Sequence, residues 1–98
     1  MSDLRRLRWT PRALRRLESI WTFVAPENPA AADRTLQRIV DAAEILAAHP
    51  AMGRPGRIMG TRELVLADTP YLIAYRVSET EIAILTVLHA AQRWPEDL

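Results

Sequence analysis

The chain has 98 residues, a net charge of +1 and 49% hydrophobic residues, which supports one domain around one core and excludes a disordered chain. It has no cysteine, so a disulfide framework and thiolate chemistry are excluded. No apolar run approaches the roughly 20 residues of a membrane helix, and "MSDLRRLRW" carries charges where a signal peptide needs an apolar segment; the expectation is a single cytoplasmic domain over residues 1–98.

Residues 4–9, "LRRLRW", read as a first strand. Thr10 and Pro11 then give a helix start, with Thr10 as N-cap and proline in the first turn. Leu14, Leu17, Trp21 and Val24, with Ile20 beside them, form one apolar stripe on a helix from about 11 to 25. Trp9 and Trp21 are expected in the core. "PENP" interrupts the pattern, and Asn28-Pro29 opens a second helix. Its apolar positions are Ala32, Leu36, Ile39, Ala43 and Leu46, and it ends near His49-Pro50. Two amphipathic helices joined by a short turn make a helical hairpin. Most charges on its outer face, Arg12, Arg15 and Arg16 among them, are expected to be solvated.

"HPAMGRPGRIMG" carries three glycines and two prolines and reads as a loop. "TRELVLAD" reads as a strand, and "YLIAYRV" follows after "TP". "SETE" is the polar turn that closes a hairpin onto "IAILTVLHA". Alternation puts Leu72, Ala74 and Arg76 on one face and Tyr71, Ile73, Tyr75 and Val77 on the other. It also puts His89 with Leu85 and Val87. The fold class is α+β in the order β-α-α-β-β-β, a helical hairpin packed on a small antiparallel sheet. The first strand is placed at a sheet edge.

All 13 basic residues are arginine. Six of them (Arg5, Arg6, Arg8, Arg12, Arg15, Arg16) stand in residues 1–16, and four more (Arg54, Arg57, Arg62, Arg76) stand between 51 and 76. Arginine binds carboxylate and phosphate bidentately and makes a poor general base. Phosphate-binding glycine loops and zinc motifs are absent, and Ser19 and Ser78 lack a setting for nucleophilic catalysis. No metal and no cofactor are expected. What remains is a set of arginines beside a sheet, with His89, Arg93 and Trp94 at its last strand. Such a surface suits an acidic partner.

Four stretches carry a resemblance to a known family. "RWTPRALRRLESIWTFVA" is similar to a strand followed by a Thr-Pro helix start. "HPAMGRPGRIMGTREL" resembles the pattern P..GRPGR..GTREL. "PYLIAYRV" follows, and "ILTVLHAAQRWP" is similar to I..VLHGAQ.WP. In this order they resemble the RelE/ParE superfamily, the toxins of type II toxin–antitoxin modules associated with plasmid stabilization. The resemblance implies a growth-inhibiting toxin neutralised by a cognate antitoxin, which lays a helix and an extended segment across hairpin and sheet.

The superfamily divides by target. RelE-like members cut mRNA on the ribosome; ParE-like members poison DNA gyrase. The resemblance implies an arginine after the aromatic of "YLIAY" in nucleases, where this chain has Leu72, and RelE uses lysines, of which this chain has none. A late tyrosine is also missing. These departures favour the ParE-like reading, with Arg54, Arg57, Arg62, Arg76, His89, Arg93 and Trp94 as contacts to target or partner. The alternatives are a ribosome-dependent nuclease, with Arg57, Arg62, Arg76, His89 and Arg93 as candidate catalytic residues, and a non-toxic, antitoxin-binding member.

Overall fold

The computed structural model describes residues 4–93 and 95. Its elements are β1 (Arg6–Trp9), α1 (Pro11–Val24), α2 (Pro29–Ala48), β2 (Arg54–Pro55), β3 (Arg62–Val65), β4 (Tyr71–Val77) and β5 (Glu81–His89). One five-stranded sheet has the order β1-β5-β4-β3-β2. The expected fold class holds as α+β, with two differences. The sheet is mixed, because β1 pairs parallel with β5 while every other pair is antiparallel. The Gly/Pro loop also contributes a two-residue strand, β2, paired to β3 through Arg54 with Glu63 and Pro55 with Arg62.

The helix starts follow the sequence signals. Thr10 Oγ1 accepts the Ala13 N–H at 3.2 Å, and Asn28 Oδ1 accepts the Ala31 N–H at 3.0 Å. Each cap satisfies one of the donors that a helix N-terminus leaves unpaired. Thr10 has a second task. Its hydroxyl donates to the Ile84 and Leu85 carbonyls, at 2.8 and 3.1 Å, and so ties α1 to the middle of β5.

The helices pack on one face of the sheet, α1 over β5 and α2 over β1 and β5. Ala13, Ile20, Ile39, Ala43, Leu46, Ile73, Tyr75, Ile82, Ile84 and Val87 fill the layer between them. Burying an isoleucine or leucine side chain is worth about 1.5–3 kcal/mol, so this layer is the main source of stability. The buried side of α1 is rotated from the expected stripe. Ala13 and Ile20 are buried, with Leu17 and Val24 half-buried, whereas Leu14 and Trp21 are 53% and 43% exposed. Trp21 is therefore a surface residue rather than a core one; its indole N–H reaches Asp33 Oδ1 on α2 at 3.3 Å. Ala13, fully buried, is the small residue on the side that α1 turns to the sheet. Trp9 is half-buried against the core, as expected.

Between Ala74 and Tyr75 the β4–β5 register slips: Ala74 faces Thr86 and Tyr75 faces Ile84, which leaves Leu85 as a bulge. Val87 and His89 therefore share the helix-covered face with Ile82 and Ile84, not with Leu85 as strict alternation requires. On the second face Leu72, Ala74 and Leu88 form a small apolar cluster of their own. No helix among the described residues is long and apolar enough to cross a membrane.

Candidate functional site

Two groups of polar residues stand out, one at each end of β4. The first is built around Tyr75 in the loop after α2. The phenol is buried beneath Gly53: it accepts the Gly53 N–H and donates to the Pro50 carbonyl, both at 2.8 Å. Burial pushes its pKa above the ordinary value, while the Gly53 N–H and the Arg62 charge pull the other way. Gly53 is obligatory, since a Cβ there would stand 2.5 Å from the Tyr75 hydroxyl. Arg62 Nη1 donates to the Gly53 carbonyl at 2.6 Å.

The same loop is fastened by Glu63. Its residue is 3% exposed, and its two oxygens do different work. Oε1 faces the Arg54 guanidinium at 3.2 Å, and Oε2 accepts the Arg57 backbone N–H at 2.7 Å. A buried carboxylate persists only when paired and hydrogen-bonded, and here both conditions hold. Arg76 lies across Gly60, whose φ of 82° is a left-handed conformation that glycine adopts freely. Met59, next to it, is 94% exposed. The result is a loop tied down through Gly53 and the Arg57 backbone, with Met59 exposed next to Gly60.

The second group lies at the opposite end of β4, where Tyr71 pairs with His89. Their rings meet edge to face at 5.4 Å. The Ala91 N–H donates to His89 Nδ1 at 3.1 Å, so the neutral ring carries its proton on Nε2. Gln92 Oε1 accepts both the His89 backbone N–H at 3.1 Å and Arg16 Nη2 at 2.9 Å. Arg16 Nε also donates to the Val87 carbonyl at 2.9 Å. Arg93 is exposed and lines a groove on the second face with Arg12, Thr86, Leu88 and Pro95. Trp94 lies outside the described residues.

The arginines and histidine singled out in the sequence thus divide. Arg54, Arg57, Arg62 and Arg76 gather about the 53–60 loop. His89 and Arg93 stand at the far end of the sheet, and Tyr71 and Tyr75 are four residues apart, roughly 13 Å along a strand. Arg62 and His89 belong to the helix-covered face, Arg76 and Arg93 to the other. Sequence reasoning missed Glu63, Tyr75, Arg16 and Gln92. Tyr75 and Arg16 take partners at least 22 residues away, whereas Glu63 takes Arg54 and Arg57 from nine and six residues before it, and the His-x-x-Gln spacing of His89 and Gln92 was a local signal.

With that geometry in place, comparison with known proteins is informative. The model of the family described as ParE toxin of type II toxin–antitoxin system, parDE, matches residues 7–94. The chain belongs to the ParE toxin family. A putative toxin, Y4kP, from Sinorhizobium fredii is 55% identical over 94 residues, covering 96% of this chain and 97% of that one. Toxin RelE2 from Caulobacter vibrioides is 38% identical over 84 residues, covering 86% and 93% respectively. Among solved structures, the chromosomal ParDE system from P. aeruginosa superposes with a TM-score of 0.81 at 31% identity, over 90% of this chain and 98% of that one. The RelBE2 toxin–antitoxin complex from Mycobacterium tuberculosis shares the fold, with a TM-score of 0.66 at 24% identity, over 94% and 98%. This ParE-family chain therefore has the expected fold, with its helical hairpin on one face of a mixed sheet.

Proposed function

We propose that this chain is the toxin of a type II module, acting in the cytoplasm, that arrests growth through ParE-type protein contacts with DNA gyrase and is neutralised by a cognate antitoxin. The observation that carries this reading is Leu72. It occupies the place where the resemblance gives nucleases an arginine, and it is 4% exposed, packed with Ala74 and Leu88. A phosphoryl-transfer site needs converging cations at that point, and here the floor is aliphatic. The candidate catalytic residues Arg62, Arg76, His89 and Arg93 divide between two faces and two ends of the sheet. The 53–60 loop instead offers an exposed apolar residue, Met59, on a segment that also carries Arg54 and Arg57, a composition suited to binding an acidic protein surface.

Induced expression in bacteria, alone and together with any short open reading frame that adjoins the gene, tests this. SOS induction with trapped gyrase–DNA cleavage complexes is expected, relieved by the neighbouring product. Rapid mRNA cutting at ribosomal A-site codons would replace gyrase by the ribosome as target, a reading favoured by the likeness to Toxin RelE2. Growth unaffected by expression alone would leave a folded, antitoxin-binding protein without toxicity. Arg57→Ala and His89→Ala are each expected to reduce growth arrest while the far-ultraviolet circular dichroism stays native.

A further inference from the structure

Between α1 and the Tyr71–His89 end of the sheet lies a groove of about 430 Å³. Its apolar wall is Ile20 and Phe23, and Phe23 is 83% exposed, unusual for a phenylalanine on a helix. Its polar lining is a set of donors. Tyr71 is 8% exposed, and no described residue hydrogen-bonds its hydroxyl. His89 presents Nε2–H, because its other ring nitrogen is taken by the Ala91 N–H. Arg16 spends two of its five N–H groups on Val87 and Gln92 and has no carboxylate partner among the described residues.

A half-buried guanidinium whose only partners are neutral leaves its charge uncompensated, and it is held still by those same bonds. We propose that this groove seats an acidic side chain followed by an apolar one on an extended segment of the neutralising protein. The carboxylate accepts from Arg16, His89 and Tyr71, and the apolar neighbour lies against Phe23. This rests on the toxin–antitoxin reading above and names the chemistry one part of that partner must carry. A nucleic acid fits less well. It asks for a stripe of cations, whereas on the adjoining surface one cation, Arg15, shares the lining with Glu18, Ser19, Thr22 and Phe23. The tautomer also speaks against catalysis here, since Nε2 already holds a proton and cannot accept one from a substrate hydroxyl.

The test uses the full chain and its antitoxin, identified as the neighbouring product that relieves growth arrest, titrated calorimetrically. Phe23→Ser, at an exposed site, and His89→Gln are each expected to weaken binding about tenfold, the scale of an interface anchor, with thermal melting of Phe23→Ser unchanged. Binding within twofold of the parent for both variants overturns the proposal and leaves the module reading intact. No binding to the parent chain removes the module reading and this proposal with it. A single-stranded RNA dodecamer that perturbs the Arg16 Nε–H and His89 imidazole resonances, where the antitoxin does not, also overturns it.

Discussion

Glu63 and Arg54 form an ion pair of unequal burial: the glutamate side chain keeps 2% of its accessible surface and the arginine 57%, at 3.2 Å. The carboxylate therefore depends on the arginine more than the arginine depends on it. Arg54→Ala leaves a buried charge without its counter-ion and is expected to cost about 3 kcal/mol. Glu63→Gln keeps an acceptor for the Arg57 N–H and is expected to cost about 1–2 kcal/mol. Urea unfolding followed by circular dichroism checks the order. A costlier amide than alanine would show that the Glu63 charge is held by more than Arg54.

Tyr75→Phe strands the Gly53 N–H and the Pro50 carbonyl together, so a loss of about 2–3 kcal/mol is expected near neutral pH. The pH dependence has a definite sign. The folded-state phenol titrates above its unfolded value of 10.0, so its contribution is complete below that value and declines as pH rises through the folded pKa. The stability gap between parent and Tyr75→Phe is expected to be constant from neutral pH to about 9 and to narrow beyond 10. Unfolding curves across that range decide it; a gap that widens with alkali contradicts the buried neutral phenol.

The rotation of α1 gives a comparison between two neighbouring apolar residues. Ile20→Ala empties a core site and is expected to cost about 2–5 kcal/mol. Leu14→Ala, at a half-exposed site, is expected to cost under about 1 kcal/mol. Equal costs in thermal or urea unfolding would restore the stripe that the spacing alone implies.

Thr10→Val preserves volume while removing the hydroxyl that both caps α1 and fastens the β5 bulge. A loss of about 1–2 kcal/mol is expected. Hydrogen exchange localises it: faster exchange at Ala13, whose N–H the hydroxyl caps, is the expected sign, and a change confined to other parts of the chain would reject the link.

Local signals carried most of the fold. Thr10-Pro11 and Asn28-Pro29 mark helix starts by chemistry that acts within three residues, and "SETE" marks the β4–β5 turn in the same way. The parallel pairing of β1 with β5 joins Arg6 to Glu81 and has no local signature. Strand β2 hides in a segment whose glycines and prolines read as loop. The site was legible as a list of residue types and not as an arrangement. Arg62 and Arg76 are separated by strand pairing that only the register reveals, and Glu63 looked like an ordinary strand carboxylate until Arg54 and the Arg57 backbone closed around it.

The bulge at Leu85 makes β5 a strand with two phases. On its first half the even-numbered residues Ile82 and Ile84 point toward the helices; on its second half the odd-numbered Val87 and His89 do. Substitutions along β5 act one side chain at a time, and removal of one residue at the bulge, Leu85 for instance, would be absorbed: Ile84, Thr86, Val87, Leu88 and His89 would then alternate plainly, each on the face it has now. Removal of Leu88, beyond the bulge, would instead turn His89 to the second face, and the groove beside α1 would lose its imidazole. This strand therefore carries one spare residue at its bulge, and the length of the stretch after it is what keeps the His89 end of the molecule in place.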